Sequence, residues 1–145
     1  WMSTRHPFFY HQTFAMLSKM KTVLSFTFSL MILTTSAQIK ILVFSKTAGF
    51  RHSSIIPGKP AIIKLGQENG FAVDTTEDAS RFTDAVLKNY NAVVFLNTTG
   101  DVLNNMQQAA FERYIQSGGG FMGIHAATDC EYNWPWYGKC VGTRR

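Results

Sequence analysis

Cysteine and charge are both scarce in this sequence, and the two shortages narrow the classes of protein to which it can belong. The 145 residues include 2 cysteines, Cys130 and Cys140, which are too few for a disulfide framework or a four-ligand structural zinc site. Charged residues make up 16% of the chain and hydrophobic residues 46%, which excludes a chain too polar to bury a core. The length predicts one domain rather than two.

The positive charge of the chain is concentrated at its two ends. The formal net charge is +5, but five basic residues are terminal: Arg5, Lys19, Lys21, Arg144 and Arg145. Residues 38–143 hold 9 basic and 9 acidic side chains and are therefore neutral. Because binding to nucleic acid depends on basic side chains that neutralise phosphates, we expect no nucleic-acid partner.

No long apolar run is present, and the short one near the start predicts a signal peptide. Residues 1–15 show no regular period, and we interpret them as an upstream or disordered segment; a histidine-rich metal arm is the alternative. Residues 16–37 combine lysines, an uncharged apolar stretch and small residues before Gln38, the layout of a cleaved secretory signal. The stretch is shorter than the ~20 residues that span a bilayer. We therefore expect cleavage after Ala37, no stable membrane anchor, and a periplasmic or secreted protein.

Apolar runs alternate with amphipathic segments along the rest of the chain. Short buried strands are predicted at four places, and helices between them: strands 39–44, 71–74, 92–96 and 121–124, helices 58–69, 83–88 and 104–117. Pro57 and Pro60 mark the start of the first helix and Gly70 its end, while Gly118–Gly120 ends the third helix rather than forming a phosphate loop. This alternation predicts an α/β fold with a parallel sheet and helices on its faces.

Ligands of parallel α/β sheets bind at the carboxyl ends of the strands, and both histidines after residue 37 follow such ends. His52 follows the first strand and His125 the fourth. We predict that Phe50, Arg51 and His52 bind substrate, because an aromatic ring, a guanidinium and an imidazole share one loop. The alternative is that Arg51 is merely exposed and Phe50 packs under the loop. Two further hydroxyl side chains follow the third strand and are predicted to bind substrate: Thr98 and Thr99.

Residues 121–127 resemble a nucleophile elbow, the sharp strand-to-helix turn that exposes one residue above a sheet. The exposed position is occupied by His125, which follows a strand ending in Gly-Ile and precedes two small residues. If residues 125–129 are helical, Asp129 shares a face with His125. The pair is then predicted to be catalytic, with the carboxylate orienting the base, or to be two ligands of a divalent metal ion. The remaining interpretation is that Asp129 caps the next helix.

Four aromatic rings lie within six residues near the carboxyl end of the chain: Tyr132, Trp134, Trp136 and Tyr137. Aromatic rings stack on the apolar faces of sugars, so we predict that Trp134, Trp136 and Tyr137 bind a carbohydrate substrate. Packing in the core or at the surface of a homo-oligomer is the alternative.

Three segments of the chain together resemble the ThuA-like family, which is named for trehalose utilisation. They are residues 46–55, 118–129 and 134–138, with the sequences KTAGFRHSSI, GGGFMGIHAATD and WPWYG. The resemblance covers about residues 39–140, nearly all of the chain after the predicted signal peptide. It implies a flavodoxin-like parallel sheet with helices on both faces, of the class I glutamine amidotransferase-like type, and a small-molecule sugar substrate.

The sequence departs from the pattern of this family in two respects. Amidotransferases of this fold carry cysteine where His125 stands, so the chain is not expected to be a cysteine-dependent amidotransferase. The family domain also continues further, so we expect the C-terminal part of the fold to be missing and residues 141–145 to be an aberrant end. We therefore expect an exported protein of trehalose-type or 3-keto-glycoside utilisation, with no certain cofactor. The alternatives are a non-catalytic carbohydrate-binding module and a non-functional fragment that associates through its open sheet edge.

Overall fold

A computed structural model describes residues 38–142 of the chain. The predicted upstream segment and signal peptide lie outside the described residues, as do residues 143–145 of the predicted aberrant end. Within the described part, no helix is both long enough and apolar enough to cross a membrane.

Four parallel strands form one sheet in the order β2-β1-β3-β4. They are β1 (Lys40–Phe44), β2 (Ala72–Thr76), β3 (Ala92–Leu96) and β4 (Gly120–Ile124). Each lies within two residues of the strand predicted from its apolar run. The register aligns Val43 of β1 with Thr75 of β2 and with Val94 of β3. The carboxyl ends of the strands therefore meet along one edge of the sheet, which carries the site.

Four helices connect or follow the strands, together with two short 3-10 turns at Ala79–Arg81 and His125–Thr128. The helices are α1 (Ile55–Asn69), α2 (Asp84–Leu87), α3 (Asn105–Gln116) and α4 (Pro135–Cys140). The α/β parallel-sheet prediction is confirmed, and the three helices predicted from periodicity are present.

The two faces of the sheet carry separate apolar clusters, because successive side chains of a strand point to opposite sides. Leu42 and Phe44 contribute to the larger cluster, which packs against α3 through Phe111. Val43 contributes to the smaller cluster, which packs against Ile62 of α1. Helices thus cover both faces, as in flavodoxin-like folds.

The larger cluster is built mainly from aromatic rings. Phe95 of β3 stacks on Phe111 of α3 with ring centroids 5.4 Å apart, and Phe44 and Phe121 each lie 5.3 Å from the Phe95 ring. Aromatic pairs at such separations contribute beyond the area that they bury. This cluster holds the sheet rigidly beneath the loops at its carboxyl edge.

The glycine run before β4 ends α3, as predicted. A capping box at Asn104 and Gln107 begins the helix, and Gly118 adopts a positive φ of 99° just beyond its end. At Gly119, an added Cβ would clash with the Tyr114 ring. The run therefore allows a tight return into the sheet.

Candidate active site

Backbone hydrogen bonds join the loops that follow β1, β3 and β4 at the carboxyl edge. Thr99 is the central residue, because its carbonyl accepts hydrogen bonds from the amides of Ala48 and Gly49 at 2.7 and 3.2 Å. The Gly100 amide donates to the Asp129 carbonyl at 3.0 Å, which ties in the third loop. The loops are therefore held at defined positions.

The two predicted histidines lie side by side on this edge. The rings of His52 and His125 are 4.8 Å apart between centroids and nearly perpendicular, at 74°. The ring of Phe50 packs edge-on against His52 at 4.9 Å and is 71% exposed. The structure therefore places Phe50 on the surface beside the imidazoles rather than under the loop.

His125 sits in the strand-to-helix turn that its sequence context predicts. Its φ is 51°, in the left-handed region that few non-glycine residues adopt. β4 ends at Ile124 and a 3-10 turn begins at His125. An added Cβ at Gly123 would lie 3.0 Å from the Ala127 Cβ, so glycine permits the sharp reversal. The result is an exposed imidazole at the edge of the sheet.

The predicted pairing of His125 with Asp129 is not formed. The prediction assumed an α-helix, in which residues four apart share a face, whereas residues 125–128 form a 3-10 turn with about three residues per turn. No hydrogen bond joins the two side chains among residues 38–142. Asp129 also does not cap α4, whose N-cap is Trp134. Within the same residues, no group of three or more His, Cys, Asp or Glu side chains is arranged to hold a metal ion.

Arg51 binds a carboxylate of the protein itself. Its guanidinium donates two hydrogen bonds to Glu77, at 3.0 and 2.9 Å, and Lys59 donates a third at 2.5 Å. These hydrogen bonds, first from Arg51 and then from Lys59, lower the pKa of Glu77 to about 2. Glu77 directly follows β2, so this ion pair anchors the loop that carries His52.

Thr98 and Thr99 do not face a ligand as predicted. Thr98 is fully buried, and Thr99 is 1% exposed. The Thr99 hydroxyl donates to the Phe50 carbonyl at 2.8 Å, which uses it to hold the neighbouring loop. The assignment of both threonines to substrate binding is corrected accordingly, because neither hydroxyl reaches solvent.

The predicted aromatic platform belongs largely to the core. Tyr137 is fully buried, and its hydroxyl donates to the Ala127 carbonyl at 2.8 Å. Trp134 is 9% exposed and stacks on Trp136 at 5.0 Å, and both rings contact Phe111. Buried ring faces cannot stack on a sugar, so the packing alternative holds for Trp134 and Tyr137. Trp136 is half-buried and packs against the same cluster.

A groove of about 370 Å³ opens beside His125, between the first turns of α1 and the ends of β3 and β4. Its polar lining is supplied by Ser54, Asn97 and His125, and its apolar lining includes Ile62, Leu96 and Ile124. A volume of this order suits a small molecule. Sequence reasoning missed Ser54 and Asn97, although Asn97 directly follows a buried strand at the edge where ligands bind.

A family model described as "ThuA: Trehalose utilisation" matches residues 40–145. The chain belongs to the ThuA family. No curated protein matches the sequence. Among solved structures, the chain is similar to the crystal structure of a ThuA-like protein from Bacteroides uniformis, with 31% identity and a TM-score of 0.62. The match covers 74% of this chain and 45% of that one, so the chain spans less than half the length of that ThuA-like protein.

Cys130, the cysteine nearest the site in this ThuA family chain, is not a reactive thiol. Cys130 is 3% exposed, and burial raises the pKa of its thiol to about 12. A thiol with so high a pKa holds its proton at neutral pH and is a poor nucleophile. The side chains offered to a ligand at this edge are therefore imidazoles, a hydroxyl and an amide.

Proposed function

We propose that this ThuA family chain acts on a sugar of the trehalose or 3-keto-glycoside type, with His125 as the reacting group and His52 beside it. The observation that carries the proposal is the left-handed turn at His125, which exposes an imidazole 4.8 Å from the His52 ring at the carboxyl edge of the sheet. Backbone strain of this kind is concentrated at functional sites.

The chemistry follows from what imidazoles and the groove offer. An imidazole can accept or donate a proton near neutral pH, and two adjacent rings can divide these roles between two oxygen atoms of a sugar. The apolar side of the groove, which includes Leu96 and Ile124, suits the C–H face of a pyranose ring. Phe50, which is 71% exposed, provides a ring at the other side of His52.

Export to the periplasm or medium is part of the proposal. It rests on the pattern of residues 16–37 and on the apolar stretch being too short to span a bilayer.

Sugar binding without chemistry is the second candidate, and one observation favours it. A catalytic histidine is commonly oriented by a carboxylate, yet among residues 38–142 no carboxylate hydrogen-bonds to the His125 ring. The two candidates differ in whether a bound sugar is converted to product.

Replacing His125→Asn tests the proposal. Asparagine tolerates the left-handed conformation but cannot act as a base, so we expect turnover of 3-keto-trehalose by the full chain to fall by about 10²–10⁴-fold. Product is measured by chromatography and sugar binding by calorimetry. The control is Lys88→Ala, an exposed residue that follows α2 at the opposite edge of the sheet.

Unchanged turnover in His125→Asn would remove His125 from the reaction. Binding of the sugar by the unmodified chain with no product at all would establish the second candidate instead.

A further inference from the structure

Asn97 occupies a strained and buried position where β3 ends. Its φ is 53°, and its amide donates to the Ile124 carbonyl at 3.2 Å, which extends the contact between β3 and β4 by one residue. Asparagine tolerates this conformation better than most residues do. The backbone on both sides of Asn97 is therefore fixed, and so is the starting direction of its side chain.

The Asn97 side chain is 3% exposed, and only half of its amide is used. Its Nδ2 donates to Ser54 Oγ at 3.0 Å, at the residue that precedes α1. Its Oδ1 is buried and accepts no hydrogen bond from any of the described residues. Buried polar atoms in folded proteins nearly always have a partner, so an unpartnered oxygen requires an explanation.

The surroundings of Asn97 supply one. The residue lines the groove together with Ser54 and His125, while Leu96 and Ile124 make the neighbouring wall apolar. An added Cβ at Gly58 would lie 3.2 Å from Leu96, so α1 sits close to β3 and forms the other wall. The residue that carries the free acceptor thus lines a concave surface that also holds the exposed imidazole, and the acceptor itself lies just beneath that surface.

We propose that Asn97 is a ligand-binding residue whose Oδ1 accepts a hydrogen bond from one hydroxyl of a neutral sugar ring in this groove. The apolar wall would lie against the C–H face of the ring, and His125 would be within reach of its edge. The inference rests on the proposed function in taking the ligand to be a sugar. The inference adds to the proposed function the residue that selects one sugar hydroxyl, Asn97. It requires that this hydroxyl donate a hydrogen bond to Oδ1.

A purely structural role for Asn97 is the competing explanation, since asparagine both tolerates the positive φ and holds Ser54. Asn97→Gly separates the two explanations, because glycine adopts φ near 53° without strain and removes only the side chain. Asn69→Gly is the matched control. Asn69 is the last residue of the 15-residue helix α1, about 10 Å along its axis beyond Ile62, the last groove residue of α1, at 1.5 Å per residue.

The test is calorimetric binding of trehalose and its monodeoxy analogues to the full chain and both variants. We expect Asn97→Gly to bind trehalose about tenfold more weakly, the loss produced by one hydrogen bond worth about 1.4 kcal/mol, and Asn69→Gly to match the unmodified chain. One monodeoxy analogue should bind the unmodified chain as weakly as trehalose binds Asn97→Gly, with no further loss in that variant. Coupling of this kind between the Asn97 side chain and one hydroxyl of the sugar would not arise if Asn97 had only a structural role.

Equal binding of trehalose to Asn97→Gly and the unmodified chain would overturn the inference, as would identical losses for every analogue in both proteins. If Asn97→Gly fails to fold, Asn97→Asp replaces it. Aspartate keeps an acceptor oxygen, so the same analogue should still be discriminated, and loss of that discrimination counts against an acceptor role.

The inference and the proposed function fail in different ways. Asn97-dependent binding with unchanged turnover in His125→Asn would support the inference and overturn the assignment of His125. If binding does not depend on Asn97 but turnover is lost in His125→Asn, the assignment of His125 is supported and the inference about Asn97 is overturned. Absence of any binding of trehalose, its monodeoxy analogues or 3-keto-trehalose to the unmodified chain would overturn both.

Discussion

The carboxylate of Glu131 lies where the loop after β4 meets the start of α3. One oxygen accepts hydrogen bonds from the amides of Val102 and Leu103, both at 2.8 Å, and the other accepts from Gln108 at 2.6 Å. The side chain is 2% exposed, and the residue adopts a φ of 53°. At the scale of single residues, Glu131 replaces water as the partner of two buried amides and positions the loop that begins at His125.

Replacing Glu131→Ala leaves these two amides buried without an acceptor. We expect the free energy of unfolding to fall by about 2–6 kcal/mol, since each of the two unpaired buried amides costs about 1–3 kcal/mol. Glu131→Gln keeps one acceptor oxygen and should lose less than half as much. Urea denaturation of the full chain measures both variants, and equal losses in the two would show that the acceptor oxygen kept by glutamine does not stabilise the amides.

The pH dependence of stability gives Glu131 a second signature. Burial raises the pKa of its carboxyl above the ordinary 4.5, so the folded state retains the proton after the unfolded state has lost it. Stability therefore falls as pH rises from 4.5 to the raised pKa. Glu131→Gln should remove this fall, which appears as a difference between the two urea curves measured across that interval.

The placement of two candidate residues side by side was predictable, because it depends only on where strands end. His52 and His125 follow separate apolar strands, and parallel strands bring such positions to one edge. Asp129 was mispredicted because the sequence does not distinguish a 3-10 turn from the first turn of an α-helix. Trp134 was mispredicted because an aromatic segment has the same composition whether it faces solvent or the core.

At the scale of elements, the loop between β1 and α1 is fastened at both ends. Thr99 holds Ala48 and Gly49 near its start, and Glu77 holds Arg51 and Lys59 on either side of His52. Each contact joins the loop to the end of a neighbouring strand. The orientation of the His52 ring therefore depends on β2 and β3 as well as on its own loop.

Replacing Glu77→Gln should loosen this loop while leaving the fold intact. The charged groups are nearly half exposed, at 46% for Arg51 and 42% for Glu77, so the cost in global stability should stay below about 1 kcal/mol. Amide hydrogen exchange over residues 48–54 should accelerate. Glu68→Gln, which alters the exposed pair of Glu68 with Lys64, is the control and should leave that segment unchanged.

The same loop should respond to acid in the unmodified chain. The pKa of Glu77 is lowered to about 2. The ion pairs of Glu77 therefore stabilise the loop fully above pH 4.5, and this stabilisation is lost as the pH falls from 4.5 towards 2. If amide hydrogen exchange over residues 48–54 at neutral pH is the same in Glu77→Gln and in the unmodified chain, Thr99 alone holds the loop.

Strands were predicted more accurately than the helix that lines the groove. A buried parallel strand appears in the sequence as a continuous apolar run, and β3 was predicted at its observed bounds. The start of α1 was predicted at residue 58, but the helix begins at Ile55. Pro57 lies in the first turn, where its missing amide hydrogen costs nothing, so the proline did not mark the boundary. The groove depends on this first turn and could not be anticipated.

Taken together, residues 38–142 cover the two faces of the sheet unequally. The larger cluster is covered by α3, α4 and the connecting turns, whereas among residues 38–142 only α1 packs against the smaller one. Met122 of β4 is aligned with Val94 of that cluster and is 58% exposed. In the part of the chain that the structure describes, β4 is also an edge strand, with the sequence GFMGI and no charge or proline to block further pairing.

This uncovered corner should make the full chain associate with itself. We expect sedimentation velocity to show an average mass that increases with concentration, because an unpaired edge strand beside an apolar face favours pairing. Met122→Lys places a charge in that corner and should shift the chain towards monomer. Met106→Lys is the matched control, since Met106 is 83% exposed on α3, at the opposite face of the sheet. A chain that stays monomeric at every concentration, or responds equally to both substitutions, would show that the corner drives no association.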